Sequence, residues 1–352
     1  MTLLDFPSMK ALGESPAFPR ATLRQVAEAA GTSAMTVSRV FRNNPHVRPQ
    51  LRERILKLAE QMGYAPDPHI SSVMRAFVRR ARPDYRETIA FIGDREPLPH
   101  TFTNRVFQGA LRRTERLGYR LEPFWIRDQR IPFSRLGRLL DNRAIRGLLL
   151  CPLGTLPHMH IRFDWPRFAA VAVGSSLWKP RLNRVQCYHY MAMISALRSL
   201  HRVSGDKTGL VISNLLHSHS QGTYISSFLT NQSTAPRDLL GRVHRYATWN
   251  RERFQTWVDR SEPEVILCAV PDDVIKVREA LKPRWKHIGI ACLDTSATMP
   301  ELAGIDQQCD VIGGEAVNLV LNALQHSELG LPKHPKVVMI EGSWRDGTSL
   351  RR

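Results

Sequence analysis

Apolar positions follow two different rhythms along this chain, and the change comes near residue 87. In residues 22–62 they recur every three or four positions: Leu23, Val26, Ala27 and Ala30, then Val37, Val40 and Phe41, then Leu51, Ile55, Leu58 and Met62. Each set makes one stripe on a helical surface, which predicts three short amphipathic helices able to close a small core. Beyond residue 87, short apolar runs alternate with helical stripes. The runs predict strands over 88–93, 147–152, 169–174, 209–213, 265–270, 287–293 and 336–340, and the stripes predict helices over 105–117, 191–203, 272–281 and 311–325. Strand–helix alternation of this kind predicts parallel α/β sheets with helices on both faces. The stretch 151–262 carries the weakest pattern.

Local signals set the ends of the first three helices. Thr22 and Gln25 have capping-box spacing, Gly31 stands where a helix ends on a positive φ, and Ser33 is a ready N-cap for the next helix. Pro49 opens the third helix and Gly63 closes it. Two short helices joined by a tight glycine turn are the arrangement that sets one helix into the DNA major groove. With Val37, Val40 and Phe41 turned inward, Ala34, Met35, Thr36, Ser38 and Arg39 face outward near the start of the second helix, where base edges are read. Arginine suits guanine, and a bidentate pair discriminates by about 1–3 kcal/mol. Thr22, Ser33, Thr36, Ser38 and His46 read as caps and phosphate contacts, which fix register and not sequence. A three-helix packing module without DNA contact is the bland alternative.

Length and charge bound the rest. A chain of 352 residues exceeds one ordinary core and implies a small head plus larger lobes. The net charge of +18 favours polyanionic partners, but it does not locate a binding face. Residues 1–82 hold 13 Lys and Arg against 6 Asp and Glu, so most of the excess lies beyond the head. Residues 1–20 lack the order of a signal peptide and read either as a flexible extension of a cytoplasmic protein or as a misassigned translation start. No apolar run reaches membrane-spanning length, which predicts no membrane partner. The five cysteines, at 151, 187, 268, 292 and 309, are far apart without metal-ligand spacing and read as reduced core thiols. With no Gly-x-Ser-x-Gly elbow, phosphate loop or HExxH helix, the sequence predicts neither an enzyme nor a cofactor or metal.

The block TLRQVAEAAGTSAMTVSRVF, followed by RPQLRERIL and GYAPDP, resembles the DNA-binding head of the LacI/GalR family of bacterial regulators. In the body, RVFQGALRRTERLGY, AIRGLLLCP, PELAGIDQQCDVIGGEAVNLVLNAL and KVVMIEGSWRDGTSL resemble the family's blocks. The resemblance implies a small all-α helix-turn-helix head at 21–66, a hinge helix and linker at 67–86, and a core at 87–345 before a tail at 346–352. That core would be periplasmic-binding-protein-like, with two doubly wound lobes that bind effector and form a homodimer. It assigns operator preference to Ala34 and Met35, guanine contact to Arg39, and minor-groove wedging to Val73 with Met74. In the interlobe cleft it assigns effector contact to Asp294. Tyr188 stands where a second Asp is usual, and Tyr224 lies nearest to where a cleft arginine is usual. The function implied is a dimeric, nucleoid-associated repressor on a pseudo-palindromic double-stranded operator, with a carbohydrate-like effector. The alternatives are a ligand-independent DNA-binding or architectural protein whose core has lost sugar binding, a solute-binding transport protein, and an enzyme on the same scaffold.

Overall fold

The structure, a computed structural model, describes residues 21–41, 47–64, 87–99, 101–153, 159–160, 163–232, 236–281, 283, 287–295 and 299–350. They divide into a head ending at Tyr85 and a body beginning at Arg86. In the head, helices α1 (Leu23–Ala29), α2 (Ala34–Phe41) and α3 (Pro49–Gln61) form where the apolar stripes predict them. The α1 start is a full capping box: the Gln25 N–H donates to Thr22 Oγ1, and the Thr22 N–H donates to Gln25 Oε1 at 2.7 Å. Its end depends on Gly31 at φ +61°, a conformation that costs glycine little. The N–H groups of Gly31 and Thr32 then reach back to the Glu28 and Ala27 carbonyls. Gly63 at φ +63° closes α3 in the same way, and Arg48 at its start makes no side-chain cap. Val26, Ala27, Ala30, Val37, Val40, Ile55 and Ala59 are the buried core of this head.

The body contains two six-stranded sheets. In the first, Val337–Ile340, Asn183–Cys187, Ala169–Val173, Gly147–Leu150, Thr88–Gly93 and Arg120–Trp125 lie in that order, all parallel. The second runs Ser343–Arg345, Ala303–Asp306, Gly289–Cys292, Val265–Cys268, Thr208–Ser213 and Val243–Tyr246, parallel except for its first pair. All seven expected strands form, and others that their apolar pattern did not announce complete each sheet. The expected helices appear as Phe102–Arg116, His189–Ser204, Pro271–Ala280 and Cys309–His326. Asn214–His219, Thr223–Thr230, Pro236–Leu239 and Arg251–Ser261 are further helices within the weakly patterned stretch, and Phe133–Asn142 is another that precedes it.

Between these lobes the chain crosses three times. It leaves the first sheet after Cys187, returns after Asp306 into the helix Cys309–His326, and crosses again between Ile340 and Ser343. One apolar cluster runs through both lobes, from Phe91, Leu149 and Val185 to Leu210, Leu267 and Leu293. Separate clusters cover the far face of each sheet. Doubly wound lobes place their strand ends at the junction, which is where such folds bind ligands.

Candidate functional site

The exposed face of α2 is built from its cap outward. Ser33 Oγ accepts the Thr36 N–H at 3.2 Å and lies 3.0 Å from the Thr36 hydroxyl, so both side chains are partly committed to starting the helix. Val37 and Val40 are buried, which fixes the rotation of α2 and turns Met35 and Arg39 to solvent. Met35 is 64% exposed. Ser38 is half-buried. Ala34 also packs in part against the head core, so it presents less outward surface than the sequence suggests. The Thr22 hydroxyl is occupied by its cap. His46, Val73 and Met74, and with them the expected hinge helix and the extension at 1–20, lie outside the described residues.

In the body, the expected effector residues fall at the junction of the lobes. Asp294 follows the strand Gly289–Cys292 of the second lobe and is 4% exposed. Its Oδ1 accepts a hydrogen bond from Arg105 Nη2, and Arg105 comes from the Phe102–Arg116 helix of the first lobe. The other Arg105 terminal nitrogen donates to the Thr295 carbonyl at 2.9 Å. Burial pushes the Asp294 carboxyl up and the Arg105 guanidinium pulls it back, leaving a net rise. Burial opposes the charge on Arg105, but Asp294, with smaller contributions from Cys309 and Asp306, outweighs it and leaves a net rise.

Tyr224 is wholly buried in Thr223–Thr230, and its hydroxyl accepts from Gln307 Nε2 at 3.1 Å. The same amide donates to the Leu293 carbonyl at 2.8 Å, one residue before Asp294. The His189 ring lies 4.7 Å from the Tyr224 ring, and burial brings its pKa down to about 4, so it stays neutral near pH 7. Tyr188 is half-buried just before the His189–Ser204 helix, its N–H donating to Ile340 O at 2.8 Å. A second contact joins the lobes nearby: the Ser175 hydroxyl donates to the His219 carbonyl, and Gln221 Nε2 donates to the Ser175 carbonyl at 3.2 Å. Asp294 and Tyr224 thus share one buried polar cluster, already occupied by the chain's own groups. Among the described residues, Arg105 Nε, Thr295 Oγ1 and His189 Nδ1 are buried there without a hydrogen-bond partner.

Arg105, like Gln307, is a residue that sequence reasoning missed. The available signal was its place in the first turn of a helix, where the dipole disfavours a cation unless a specific anion faces it. Among the described residues no group of three or more His, Cys, Asp or Glu could hold a metal ion, and no helix is long and apolar enough to cross a membrane.

Residues 22–67 match the family model "Bacterial regulatory proteins, lacI family". The same region is 49% identical over 47 residues to the sucrose operon repressor of Shigella flexneri, which is 13% of this chain and 14% of that relative's length. Over most of the chain the likeness is one of fold. A lac repressor dimer bound to operator and the anti-inducer ONPF aligns with a TM-score of 0.54 and 15% identity, covering 94% of this chain and 99% of that one. A complex of the transcriptional regulator CelR with cellobiose aligns with a TM-score of 0.53 and 16% identity, covering 93% and 98%.

Proposed function

We propose that this chain, with a lacI-family head at its start and the two-lobed α/β body of that fold behind it, is a DNA-binding transcriptional repressor. The observation that carries the reading is the capped helix α2, held by Val37 and Val40 so that Met35 and Arg39 stand out at the position a groove-reading helix uses. Arg39 is the guanine reader, and Met35 with the exposed part of Ala34 makes apolar contact such as with thymine methyls. Thr36, Ser38, Ser33 and His46 position the head on phosphates while Thr22 holds the start of α1, with Val73 and Met74 as the minor-groove wedge. The head spans 21–66, the hinge 67–86 and the core 87–345. Two copies on a pseudo-palindromic operator in the bacterial cytoplasm complete the proposal, because a helix-turn-helix dimer reads half-sites related by its own two-fold axis.

The body is the sensor in this reading. Asp294, Tyr224 and Tyr188 border the lobe junction, and a carbohydrate-like ligand that favours one lobe arrangement would alter operator affinity through a coupling of about 1–3 kcal/mol. A ligand-independent regulator is the second reading. The observation favouring it is that the junction is already bridged by the chain's own Arg105 and Asp294.

The deciding experiment selects duplexes from a random pool with the purified full chain, then measures anisotropy isotherms for selected and scrambled duplexes at near-physiological salt. Specific regulators separate these by about 10³-fold or more. Equal affinity for both would end the repressor reading.

A further inference from the structure

We propose that Arg105 is the anion-binding side chain of the interlobe site, and that Asp294 holds its place until a ligand carboxylate or phosphate displaces it. This rests on the sensor reading above and adds the class of ligand: a hydroxylated acid, such as a sugar acid or a sugar phosphate.

The geometry is that of an incompletely used guanidinium. Asp294 takes Arg105 through one oxygen and one terminal nitrogen, while the other terminal nitrogen goes to a backbone carbonyl. Arg105 Nε is buried and lacks a hydrogen-bond partner among the described residues. Carboxylates and phosphates fit the guanidinium fork through two oxygens at once. An incoming anion that takes Nε together with Nη2 makes a hydrogen bond that Asp294 leaves unmade.

Besides Asp294, the titratable groups felt by Arg105 are the Cys309 thiol, which burial keeps neutral, and the acid Asp306; the buried polar neighbours Tyr224 and Gln307 are neutral. A neutral ligand that displaced Asp294 would leave a largely buried arginine without its counter-ion, an unfavourable exchange. An anionic ligand substitutes one counter-ion for another, and the displaced Asp294, whose carboxyl burial already pushes up, takes up a proton as the ligand's charge arrives. The freed, protonated Asp294 carboxyl and the unpartnered Thr295 hydroxyl then donate to and accept from the ligand's hydroxyl groups. The pair joins residues 189 positions apart on opposite lobes, so exchanging it also changes what holds the lobes together.

The test is calorimetry and thermal unfolding of the full chain with a panel of hexuronates, hexose 6-phosphates and the matching neutral hexoses at equal ionic strength. Acidic members are expected to bind and raise Tm, and their neutral counterparts to bind at least about tenfold more weakly. Binding by the uronates alone or by the 6-phosphates alone supports the proposal equally and identifies which anion is read. Arg105→Ala should lose at least about tenfold in acid affinity, with partial recovery in Arg105→Lys. Asp294→Asn should bind the acid more tightly than the natural chain, because the amide competes less well for the guanidinium. If Asp294→Asn instead weakens acid binding as much as Arg105→Ala does, the displacement idea is overturned. Binding of neutral hexoses as tight as that of the acids would overturn the anion assignment and leave the sensor reading intact. Failure of the whole panel would overturn both. Should Arg105→Ala not fold, the natural chain, Arg105→Lys and Asp294→Asn still decide.

Discussion

Gly313 packs against the backbone of Val106 so closely that a β-carbon there would lie 2.1 Å from the Val106 carbonyl oxygen. Gly109 meets Asp310 across the same pair of helices, where a β-carbon would lie 2.2 Å from the Asp310 carbonyl oxygen. Phe102–Arg116 and Cys309–His326 therefore touch backbone to backbone, and Arg105 stands one turn before Gly109 in the first of them. Gly313→Ala should destabilise the body by about 1–3 kcal/mol through overpacking, read as a lowered urea midpoint. Gly314→Ala is the control: its β-carbon would meet only the Arg113 side chain, at 3.8 Å or beyond. That change should stabilise by up to about 1 kcal/mol through helix propensity. A loss in both variants alike would contradict the close approach.

Asp273 offers a pH-dependent counterpart. It is 1% exposed, accepts the Tyr246 hydroxyl hydrogen, and keeps its second oxygen without a hydrogen-bond partner among the described residues. Burial pushes its carboxyl up to about 6, against the opposing pull of Tyr246 and of Lys276, whose Nζ lies 3.9 Å away. The folded chain thus holds this proton at a pH where the unfolded chain has released it. Stability from this site is greatest below about pH 4, falls as pH rises toward 6, and is flat above. Asp273→Asn keeps an acceptor for Tyr246 and removes the ionisation. It should raise stability at pH 7.5 by on the order of 1–3 kcal/mol and change little at pH 4.5. Equal shifts in the urea midpoint at both pH values would exclude the mechanism.

What could be read from the sequence divides along the same physical line as what is local and what is tertiary. The head was legible because Thr22, Gly31, Ser33 and Pro49 act on groups within a few residues of themselves, and each does so in the structure. Central strands such as Gly147–Leu150 and Ala169–Val173 were legible because burial on both faces leaves a continuous apolar run. Arg120–Trp125 was not, since Pro123 argues against a strand; it is tolerated because this strand is at the sheet edge. Asn183–Cys187 was hidden by Arg184, a buried residue satisfied by the carbonyls of Gly174 and Leu177, just beyond the neighbouring strand Ala169–Val173. At the lobe junction Asp294 and Tyr224 could be named from the family pattern. Their partners Arg105 and Gln307 could not, because 189 and 83 residues separate them from the groups they meet.

The cysteines give a chemical check on the body's packing. Cys151, Cys187, Cys268, Cys292 and Cys309 are all buried, and burial raises every one of these thiols, Cys187 to about 12. Thiolate is the reactive form, so the native chain should show no fast-reacting thiol toward Ellman's reagent at pH 8. All five should react once the chain is unfolded in guanidinium. A thiol that reacts rapidly in the native chain would place its cysteine on an accessible surface and contradict the packing.

Arg39 and Ser33 make separable predictions about DNA. Arg39 is exposed on α2 and its side chain is free of any role in the head core, so Arg39→Ala should leave the head's unfolding unchanged. If it reads guanine, the cost is about 1–3 kcal/mol on selected duplexes and almost nothing on duplexes substituted at the guanine it contacts, flattening preference at that position. Ser33→Ala acts through the helix instead: losing the cap should cost about 1 kcal/mol of head stability. Its effect on binding should be similar across all duplexes, because a frayed helix start weakens every contact together. Anisotropy isotherms over a set of single-base operator variants, paired with thermal unfolding of each protein, distinguish the two. Uniform loss across the set for Arg39→Ala would reassign that side chain from base reading to phosphate contact, and would move sequence choice onto Met35 and Ala34.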